Sequence, residues 1–561
     1  MKTRELLAGA GLLILFLGLV LAGLRRHSPT VDEFAHLPAG YYYLRTGDFS
    51  LYSKNPPLVK MISALPWLLL RPAWEANVSD EHPAWRPWEY GAAVMRLNSA
   101  RYQSLFGWGR VPIVGLALIL GLGIWRWSRR LYGPAGGLIS LTCFCLCPNF
   151  LAHSGLATVD VGASLFFFGA VWAGGRFLEQ PGFLRAAGAG LLLGLAQLSK
   201  FTCLLLIPLF LLFPLAAWWR HRRGAPEPSR PLSWSRFALS LVLLLLAAWG
   251  VLLAGYGFEW DPSAFARLNF HSQLFQHAQR LLPWLPSPVP TDYLIGLDSQ
   301  MRAAEHGDFP NYLFGHWYRE PQWYYFPAAL AVKTPVPILL GLAGALFLQR
   351  GASKPAGRLL PAELGLLIVM VLVLAGLTLQ SRLQIGIRYL LPLFPLAYVL
   401  TGRLAVLRWS SAQTRWYRAA LAGLGLWLLI GTLRIHPHFL AYFNELAGGP
   451  ARGYKILLDS NLDWGQDLPG LAAYMKEHRI ERVHLAYFGH ADPALYGIQY
   501  DILQAKNPPG WTAISAAYLM GFPYPVTYTT PWSQIPLAVT ASYQSRRPVA
   551  TVGYSIFLFQ D

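Results

Sequence analysis

Runs of about 20 apolar residues recur along this chain, and they constrain its fold more than any other feature. A helix of that length crosses the roughly 30 Å hydrocarbon core of a bilayer. Backbone N–H and C=O groups find no water there, so helices, which satisfy these groups internally, are the expected spanning elements. Only 13% of the 561 residues are charged and 54% are hydrophobic, which excludes a water-soluble fold. We expect a polytopic α-helical membrane protein.

The apolar runs predict about eleven transmembrane helices. They lie at residues 6–24, 110–127, 134–151, 160–178, 186–199, 201–219, 237–256, 327–348, 361–379, 388–404 and 419–433. A further apolar stretch at 56–70 is too short to cross comfortably. It predicts an interfacial or re-entrant helix.

Basic residues concentrate in alternate loops, which predicts the orientation of the chain. The Arg- and Lys-rich loops are 126–133, 176–186, 220–236, 349–360 and 405–418. By the positive-inside rule these loops and the N-terminus are cytoplasmic. The long loops 25–108 and 257–326 and the C-terminus are then outside. This distribution accounts for the net charge of +18, so we expect no nucleic-acid partner.

After Arg434 the apolar runs stop, and the pattern changes to short strands and one helix. The predicted strands are Lys455–Leu458, Arg482–Phe488, Trp511–Tyr518 and Val549–Phe559, and the predicted helix runs from about Gln466 to Glu477. Alternation of this kind predicts a small α/β domain. We therefore divide the chain into a membrane domain, residues 1–433, and an extracytoplasmic domain, residues 434–561.

Charged residues at the expected outer ends of the spans are the candidates for a site. They are Asp32, Glu33, Asp160, Lys200, Lys333, Arg382 and Arg388. Acids beside several cations at one membrane depth are typical of a site for an anionic lipid headgroup, and Arg and Lys are the usual phosphate partners. Each residue also has a plainer interpretation. The adjacent acids suit a solvated loop, the cations suit snorkelling helix ends, and Asp160 suits a helix cap.

No metal ion or other cofactor is expected from the residue patterns. The cysteines lie in apolar runs without CxxC spacing, which is typical of packing residues. The histidines of the loop 257–326 are irregularly spaced. P-loop and G-x-G-x-x-G patterns are absent, which argues against a nucleotide-driven enzyme.

Six short motifs occur in order along residues 1–433. They are Asp32-Glu33, Gly47-Asp48-Phe49, Asn55-Pro56-Pro57-Leu58, Ala157-Thr-Val-Asp160, Leu195-Ala-Gln-Leu-Ser-Lys200 and Gly386-Ile-Arg-Tyr-Leu-Leu-Pro392. As a set they resemble the GT-C fold glycosyltransferases. The most similar group is the family that contains the protein O-mannosyltransferases and the bacterial aminoarabinose transferase that modifies lipid A.

The resemblance implies an inverting hexosyl or pentosyl transfer from a polyprenyl-phosphate sugar to a lipid, glycan or protein acceptor outside the cytoplasm. It further implies a bacterial inner membrane. Asp32 matches the family's essential acid and would be the general base, with Glu33 as a second catalytic candidate. The donor-phosphate candidates are Lys200, Arg388, Lys54, Lys333 and Arg382. Asp160, His36 and Asn55 are further site candidates.

Lys54 departs from the family pattern, because many relatives carry an acid two positions before the Pro-Pro step. For this reason too we assign no metal. Two alternatives stay open: a transporter or flippase for lipid-linked sugars, which would need no base at Asp32, and a non-catalytic binder of such lipids. The segment Leu457–Asp467 is similar to one in uncharacterised bacterial members, and no chemistry follows from it.

Overall fold

The computed structural model describes residues 3–24, 26–76, 85–215, 233–307, 309–348, 361–380, 382–406, 411–506, 508–528 and 533–561. Most of these residues are helical. The α-helices are α1 (Thr3–Leu24), α2 (Val31–Thr46), α3 (Leu58–Leu70), α4 (Arg86–Leu97), α5 (Tyr102–Cys145), α6 (Pro148–Ser154), α7 (Asp160–Glu179), α8 (Phe183–Gln197), α9 (Leu206–Leu211), α10 (Trp234–Gly255), α11 (Ala264–Arg267), α12 (Gln273–Leu281), α13 (Thr291–His306), α14 (Tyr325–Lys333), α15 (Val336–Phe347), α16 (Pro361–Gln380), α17 (Phe394–Thr401), α18 (Ser411–Ile435), α19 (Pro450–Gly453), α20 (Leu468–Glu477), α21 (Ala516–Leu519) and α22 (Leu537–Gln544). The strands are β1 (Asn311–Leu313), β2 (His316–Tyr318), β3 (Val483–Ala486), β4 (Tyr500–Ile502), β5 (Trp511–Ser515), β6 (Ala550–Val552) and β7 (Ile556–Gln560).

Seven helical segments in the described part of the chain are long and apolar enough to cross a membrane, or up to eight if one bent pair counts as a span. They are Thr3–Leu24, Ser99–Cys145, Asp160–Glu179, Trp234–Gly255, Pro361–Leu379, Ile387–Val406 and Gln413–Ile435. The polytopic helical fold is confirmed. The number is below the eleven expected, although helical segments occupy each predicted place within the described residues.

Local breaks and short helices account for the difference in number. The predicted spans 110–127 and 134–151 fall largely in α5, which continues through one non-helical residue, Gly133, at φ 77° and ψ −174°. Helix α8 has only 15 residues, and the next apolar segment is Phe201–Leu215. The run at 327–348 forms α14 and α15, bent by 109°. The bend lies at Thr334 and Pro335, where proline disfavours helical geometry in the residue before it.

Helix α2 follows α1 and carries both predicted acids in its first turn. The Glu33 carboxylate accepts hydrogen bonds from the Thr30 backbone N–H at 3.0 Å and from its hydroxyl at 3.1 Å, which closes the start of the helix. The other side of α2 packs against α3 and α4. The stretch that was too short to cross a membrane forms α3, so a short helix at this place is confirmed.

The C-terminal region contains a five-stranded mixed sheet with strand order β4-β3-β5-β7-β6. Strand β3 is parallel to both β4 and β5, and β7 is antiparallel to both β5 and β6. Helix α20 precedes β3, close to the predicted helix. The small α/β region expected after the last apolar run is therefore present. A separate antiparallel hairpin, β1–β2, lies in the second long loop.

Four details of the strand prediction are wrong. Lys455–Leu458 is not a strand, because its backbone N–H groups bond to carbonyls three or four residues earlier, as in helical turns. The predicted strand Trp511–Tyr518 ends at Ser515 and continues as α21. Val549–Phe559 is a hairpin of two strands, and β4 was not predicted.

The segment between α19 and α20 connects the sheet region to the start of α2. The N–H of Ser28 donates to the carbonyl of Gln466 at 2.9 Å, and the N–H of Val31 donates to that of Trp464 at 3.0 Å. The hydrophobic core also runs without a break from the helices into the sheet. The division of the chain at residue 434 stays a prediction.

We expect Gly40→Ala to destabilise the fold. An added Cβ would lie 2.1 Å from the carbonyl oxygen of Lys60, so α2 and α3 would have to separate. Overpacking of this kind costs about 1–3 kcal/mol. The matched control is Gly18→Ala in α1, where nothing lies within 4 Å of the new carbon. Thermal unfolding in detergent should show a lower midpoint for the first variant only. Equal midpoints would contradict the close contact.

Candidate active site

Four charged residues from distant parts of the chain meet at one end of the helices. Asp32 lies in the first turn of α2, Asp160 begins α7, Lys200 follows α8, and Arg388 lies in the 3₁₀ segment Ile387–Leu393. Arg388 Nη1 donates a hydrogen bond to Asp32 Oδ2. Lys200 Nζ donates to Asp160 Oδ1 at 2.6 Å. The sequence analysis singled out all four residues, and the structure brings them together as two ion pairs.

The two cations share an aromatic neighbour, Tyr389. Lys200 Nζ lies 4.6 Å from the centre of its ring, and Arg388 Cζ lies 5.5 Å from the same centre. Arg388 also lies over the ring of Trp464, with Cζ 4.5 Å from the ring centre. Its Nε is buried without a hydrogen-bond partner among the described residues. Arg388 therefore has donor capacity that its contact with Asp32 does not use.

Asp160 is held from several directions and is the first residue of its helix rather than its cap. The Thr158 hydroxyl donates to Asp160 Oδ2 at 3.1 Å, and His153 Nδ1 lies 3.9 Å from the same oxygen. The Asp160 side chain is fully buried, whereas 9% of Lys200 is exposed. A buried carboxylate with these partners is suited to neutralising and orienting Lys200.

Glu33 differs from its neighbour Asp32, because every part of its carboxylate is occupied. Arg110 Nε and Nη2 donate to its two oxygens at 2.7 and 2.8 Å, and the N–H of Ala157 donates at 2.7 Å. Both side chains of this ion pair are fully buried. Burial raises the pKa of Glu33, but Arg110 and these hydrogen bonds outweigh it and hold the pKa below the usual value. The geometry suits a positioning residue.

Two of the other predicted phosphate ligands, Lys333 and Arg382, make their polar contacts outside the two ion pairs. Lys333 is buried, and its ammonium donates to the carbonyls of Leu440 at 2.9 Å and Asn461 at 2.6 Å. Arg382 is 39% exposed and lies 3.5 Å from Glu320. Lys54 is half-buried in the loop before α3, and Asn55 lies beside it in that loop.

His36 lies one helical turn after Asp32 on α2 and is buried. Both of its ring nitrogens are without hydrogen-bond partners among the described residues, and its ring lies 5.3 Å from that of Tyr52. Burial lowers the pKa of His36 to about 4, with Asp32 opposing this shift and Lys60 adding to it. The imidazole is therefore neutral at pH 7 and offers one donor and one acceptor.

The aromatic residue Trp464 and the acid Asp459 of this site were not predicted from the sequence. Both lie in Leu457–Asp467, a segment whose residue pattern indicates no chemistry. Asp459 has a left-handed backbone conformation, at φ 56°. Burial raises its pKa to about 6, although Arg388 opposes the shift. The three aspartates and one tryptophan of this segment were a usable signal, but the position of Asp459 and Trp464 beside Arg388 depends on the folded chain.

A cavity of about 770 Å³ lies away from these charges. Its lining includes the end of α1, the start of α5 and two residues between β3 and β4, Leu495 and Tyr496. Its lining does not include either ion pair. The charged cluster is thus identified by its contacts and not by a large open volume.

The family model "Dolichyl-phosphate-mannose-protein mannosyltransferase" matches residues 104–249 of this chain. The resemblance drawn from the sequence is thereby confirmed. No curated protein matches the chain.

Several solved structures are similar to this one. ArnT from Cupriavidus metallidurans bound to undecaprenyl phosphate has a TM-score of 0.48 and 13% identity, over 100% of this chain and 98% of that one. The same protein in the apo state has a TM-score of 0.43 and 12% identity, over 98% of each chain. The S. cerevisiae Pmt1-Pmt2 complex bound to the sugar donor has a TM-score of 0.32 and 20% identity, over 48% of this chain and 37% of that one. Of these likenesses, only the family match supports the proposal below.

We expect Glu33→Gln to destabilise the protein strongly. It removes the charge that compensates the fully buried Arg110, and breaking a buried pair in this way costs about 3–5 kcal/mol. The matched control is Glu179→Gln, which breaks the partly exposed pair with Arg176 and should cost no more than about 1 kcal/mol. Thermal unfolding in detergent compares the two. An equal effect would show that the buried pair contributes no more than a surface pair.

Proposed function

We propose that this protein is an integral membrane glycosyltransferase that uses a polyprenyl-phosphate sugar as donor. The observation that carries the proposal is the cluster of two cations against Tyr389, each paired with a carboxylate. Arg and Lys bind phosphate through charge-assisted hydrogen bonds, and the neighbouring Asp32 is placed to accept a proton. The family match to a mannosyltransferase over residues 104–249 supports the same class of reaction.

In the proposed reaction Asp32 is the general base. Its carboxylate takes the proton from an acceptor hydroxyl, and the acceptor oxygen forms a bond to the anomeric carbon. The bond from that carbon to the phosphate oxygen breaks, and polyprenyl phosphate leaves with the electron pair. Attack opposite to the leaving group inverts the anomeric configuration.

Arg388 and Lys200 have the complementary role at the donor. They bind the phosphate and offset the charge that grows on it as the glycosidic bond breaks. The unused Nε of Arg388 and the two further ammonium protons of Lys200 are available for this. Lys200 lies over the ring of Tyr389 and Arg388 over the ring of Trp464. These contacts hold the two cations in place, so they need little reorganisation when the phosphate becomes more negative.

The remaining predicted residues have supporting roles in this proposal. Glu33 and Asp160 position Asp32 and Lys200, and the neutral His36 contacts a hydroxyl of the donor sugar or of the acceptor. Lys54 is a further candidate contact for the donor phosphate, and Asn55 lies beside it in the same loop. Lys333 and Arg382 contribute no contact to the phosphate, because their charges are used elsewhere.

The finer expectations from the sequence complete the proposal. The acceptor is a lipid, a glycan or a protein outside the cytoplasm, and the sugar is a hexose or a pentose. The membrane is the bacterial inner membrane, with the N-terminus in the cytoplasm and the sheet region, residues 434–561, on the other side. The support for this orientation is the unequal distribution of basic residues between the loops.

The general-base role predicts the effect of Asp32→Asn. Purified protein in lipid is given a panel of polyprenyl-phosphate sugars with candidate acceptors, and released polyprenyl phosphate is measured by mass spectrometry. The variant should transfer at least about 100-fold more slowly, which is the lower range for loss of a general base, and should still bind the donor. The control is Asp501→Asn, an exposed acid in β4.

Release of polyprenyl phosphate by Asp32→Asn at the rate of the wild type would overturn the assignment of Asp32 as the general base. A wild type that binds the donor but releases nothing from it, with every acceptor class present, would favour the transporter or the non-catalytic binder. Those two alternatives use the same cations and do not need Asp32 as a base.

The phosphate-site assignment predicts a change in donor affinity. Replacing Lys200 alone would leave Asp160 as an unpaired buried charge, so the test is the double variant Asp160→Asn, Lys200→Met, which keeps the site balanced. Loss of one charged hydrogen bond, about 1.5–3 kcal/mol, should raise the donor KM by roughly 10- to 100-fold. Lys476→Ala, an exposed cation on α20, is the control. An unchanged KM in the double variant would remove Lys200 from the donor site.

A further inference from the structure

Two histidines and one aspartate form a second cluster, which the proposed reaction does not use. His27 follows α1, His438 follows α18, and Asp467 immediately precedes α20. Each offers one atom, a ring nitrogen or a carboxylate oxygen, and these atoms lie within 4.8 Å of one another. Three segments from different parts of the chain therefore direct metal-binding atoms at one point.

The tautomer of His27 leaves a lone pair facing this point. Its Nε2 lies 3.2 Å from the carbonyl oxygen of Pro437, so Nε2 carries the proton. In this tautomer of the neutral imidazole, Nδ1 has no hydrogen to donate, and it is buried without a hydrogen-bond partner among the described residues. It lies 3.7 Å from Asp467 Oδ1. Two lone-pair-bearing atoms at this distance repel each other unless a proton or a metal ion lies between them.

The carboxylate of Asp467 also leaves one atom, Oδ1, without a hydrogen-bond donor among the described residues and facing this point. Its Oδ2 accepts hydrogen bonds from the Ser555 hydroxyl at 2.7 Å and from the Gln466 side-chain amide at 2.9 Å. These bonds leave Oδ1 toward the histidines, and only 2% of the side chain is exposed. Gly553, at φ 59°, makes room for the carboxylate, because a Cβ there would lie 2.1 Å from Asp467 Cγ. Outer hydrogen bonds that orient ligands in this manner are typical of metal sites.

His438 completes the set. Its Nδ1 lies 3.4 Å from Asp467 Oδ1 and has no hydrogen-bond partner among the described residues. The side chain is 32% exposed, which gives an ion and a water molecule access from solvent. In tetrahedral zinc sites, with bonds near 2.0–2.1 Å, ligand atoms lie roughly 3.4 Å apart. The separations of 3.4 and 3.7 Å are close to that value.

We propose that His27 Nδ1, His438 Nδ1 and Asp467 Oδ1 bind a divalent transition-metal ion, with Zn²⁺ as the best fit. Two imidazoles and one carboxylate suit zinc and its neighbours in the first transition row, whereas Mg²⁺ and Ca²⁺ prefer sites made of oxygen alone. Three protein ligands leave a fourth position for water.

The metal has a positioning role in this proposal. It joins the end of α1, the end of α18 and the start of α20 beside the backbone bonds from Ser28 and Val31 to Gln466 and Trp464. It therefore holds the segment between α19 and α20, which carries Trp464, against the start of α2. The proposed metal site does not depend on the proposed glycosyltransferase reaction. Its test measures bound metal and thermal stability and does not measure activity.

The test measures metal bound to the full-length protein, purified in detergent without chelators and without a histidine tag. Elemental analysis by mass spectrometry should give about one zinc per chain for the wild type, or after addition of Zn²⁺ and dialysis. Asp467→Asn and His438→Gln should each reduce this content at least tenfold. The control, His478→Gln, changes an exposed histidine at the end of α20 and should retain the metal.

A second measurement keeps the test decisive if Asp467→Asn folds poorly. A chelator should lower the unfolding midpoint of the wild type and of His478→Gln, and leave that of His438→Gln unchanged, since this variant has no metal to lose. Cobalt added in place of zinc should give the visible absorption of a tetrahedral site in the wild type only. A wild type without metal after loading, or equal metal content in His438→Gln, would overturn the proposal.

Discussion

The buried ion pair between Glu33 and Arg110 is the interaction on which the arrangement of the charged site depends. Arg110 holds both oxygens of Glu33 and also donates to the carbonyls of Leu24, the last residue of α1, and of His27 and Ser28 after it. One guanidinium thus fixes the end of α1 and the start of α2 against α5. Removing either partner would leave a charge in apolar surroundings, so the pair acts as a unit. Asp32 directly precedes Glu33 in α2, so the orientation of its side chain depends on this ion pair.

The helical membrane fold could be predicted from the sequence, because burial in lipid requires long apolar runs and internal backbone bonds. The number of spans could not. Whether Gly133 ends a helix or only interrupts it depends on packing, and hydropathy carries no such information. The strand prediction at Lys455–Leu458 failed for a related reason, since apolar residues in a short segment suit a buried turn as well as a strand.

Four charged residues of the site were visible in the sequence, because a charge at a span end is rare enough to be noticed. Asp32, Asp160, Lys200 and Arg388 were found in this way, but their pairing was not. Lys333 met the same criterion, yet its ammonium is satisfied by backbone carbonyls. The histidine and aspartate cluster had no sequence signal at all, since its three ligands come from residues 27, 438 and 467 and share no spacing.

The pairing of Arg388 with Asp32 gives the proposed reaction a balance of charge. In the structure the two ion pairs together carry no net charge. The donor phosphodiester adds one negative charge, and the leaving phosphate gains another as its bond to the sugar breaks. Transfer of the acceptor proton to Asp32 removes one negative charge at the same time. As Asp32 takes up the proton, Arg388 loses the negative charge of its carboxylate partner, while the phosphate becomes more negative. The attraction between Arg388 and the phosphate is therefore greatest in the transition state, and it lowers the barrier to sugar transfer.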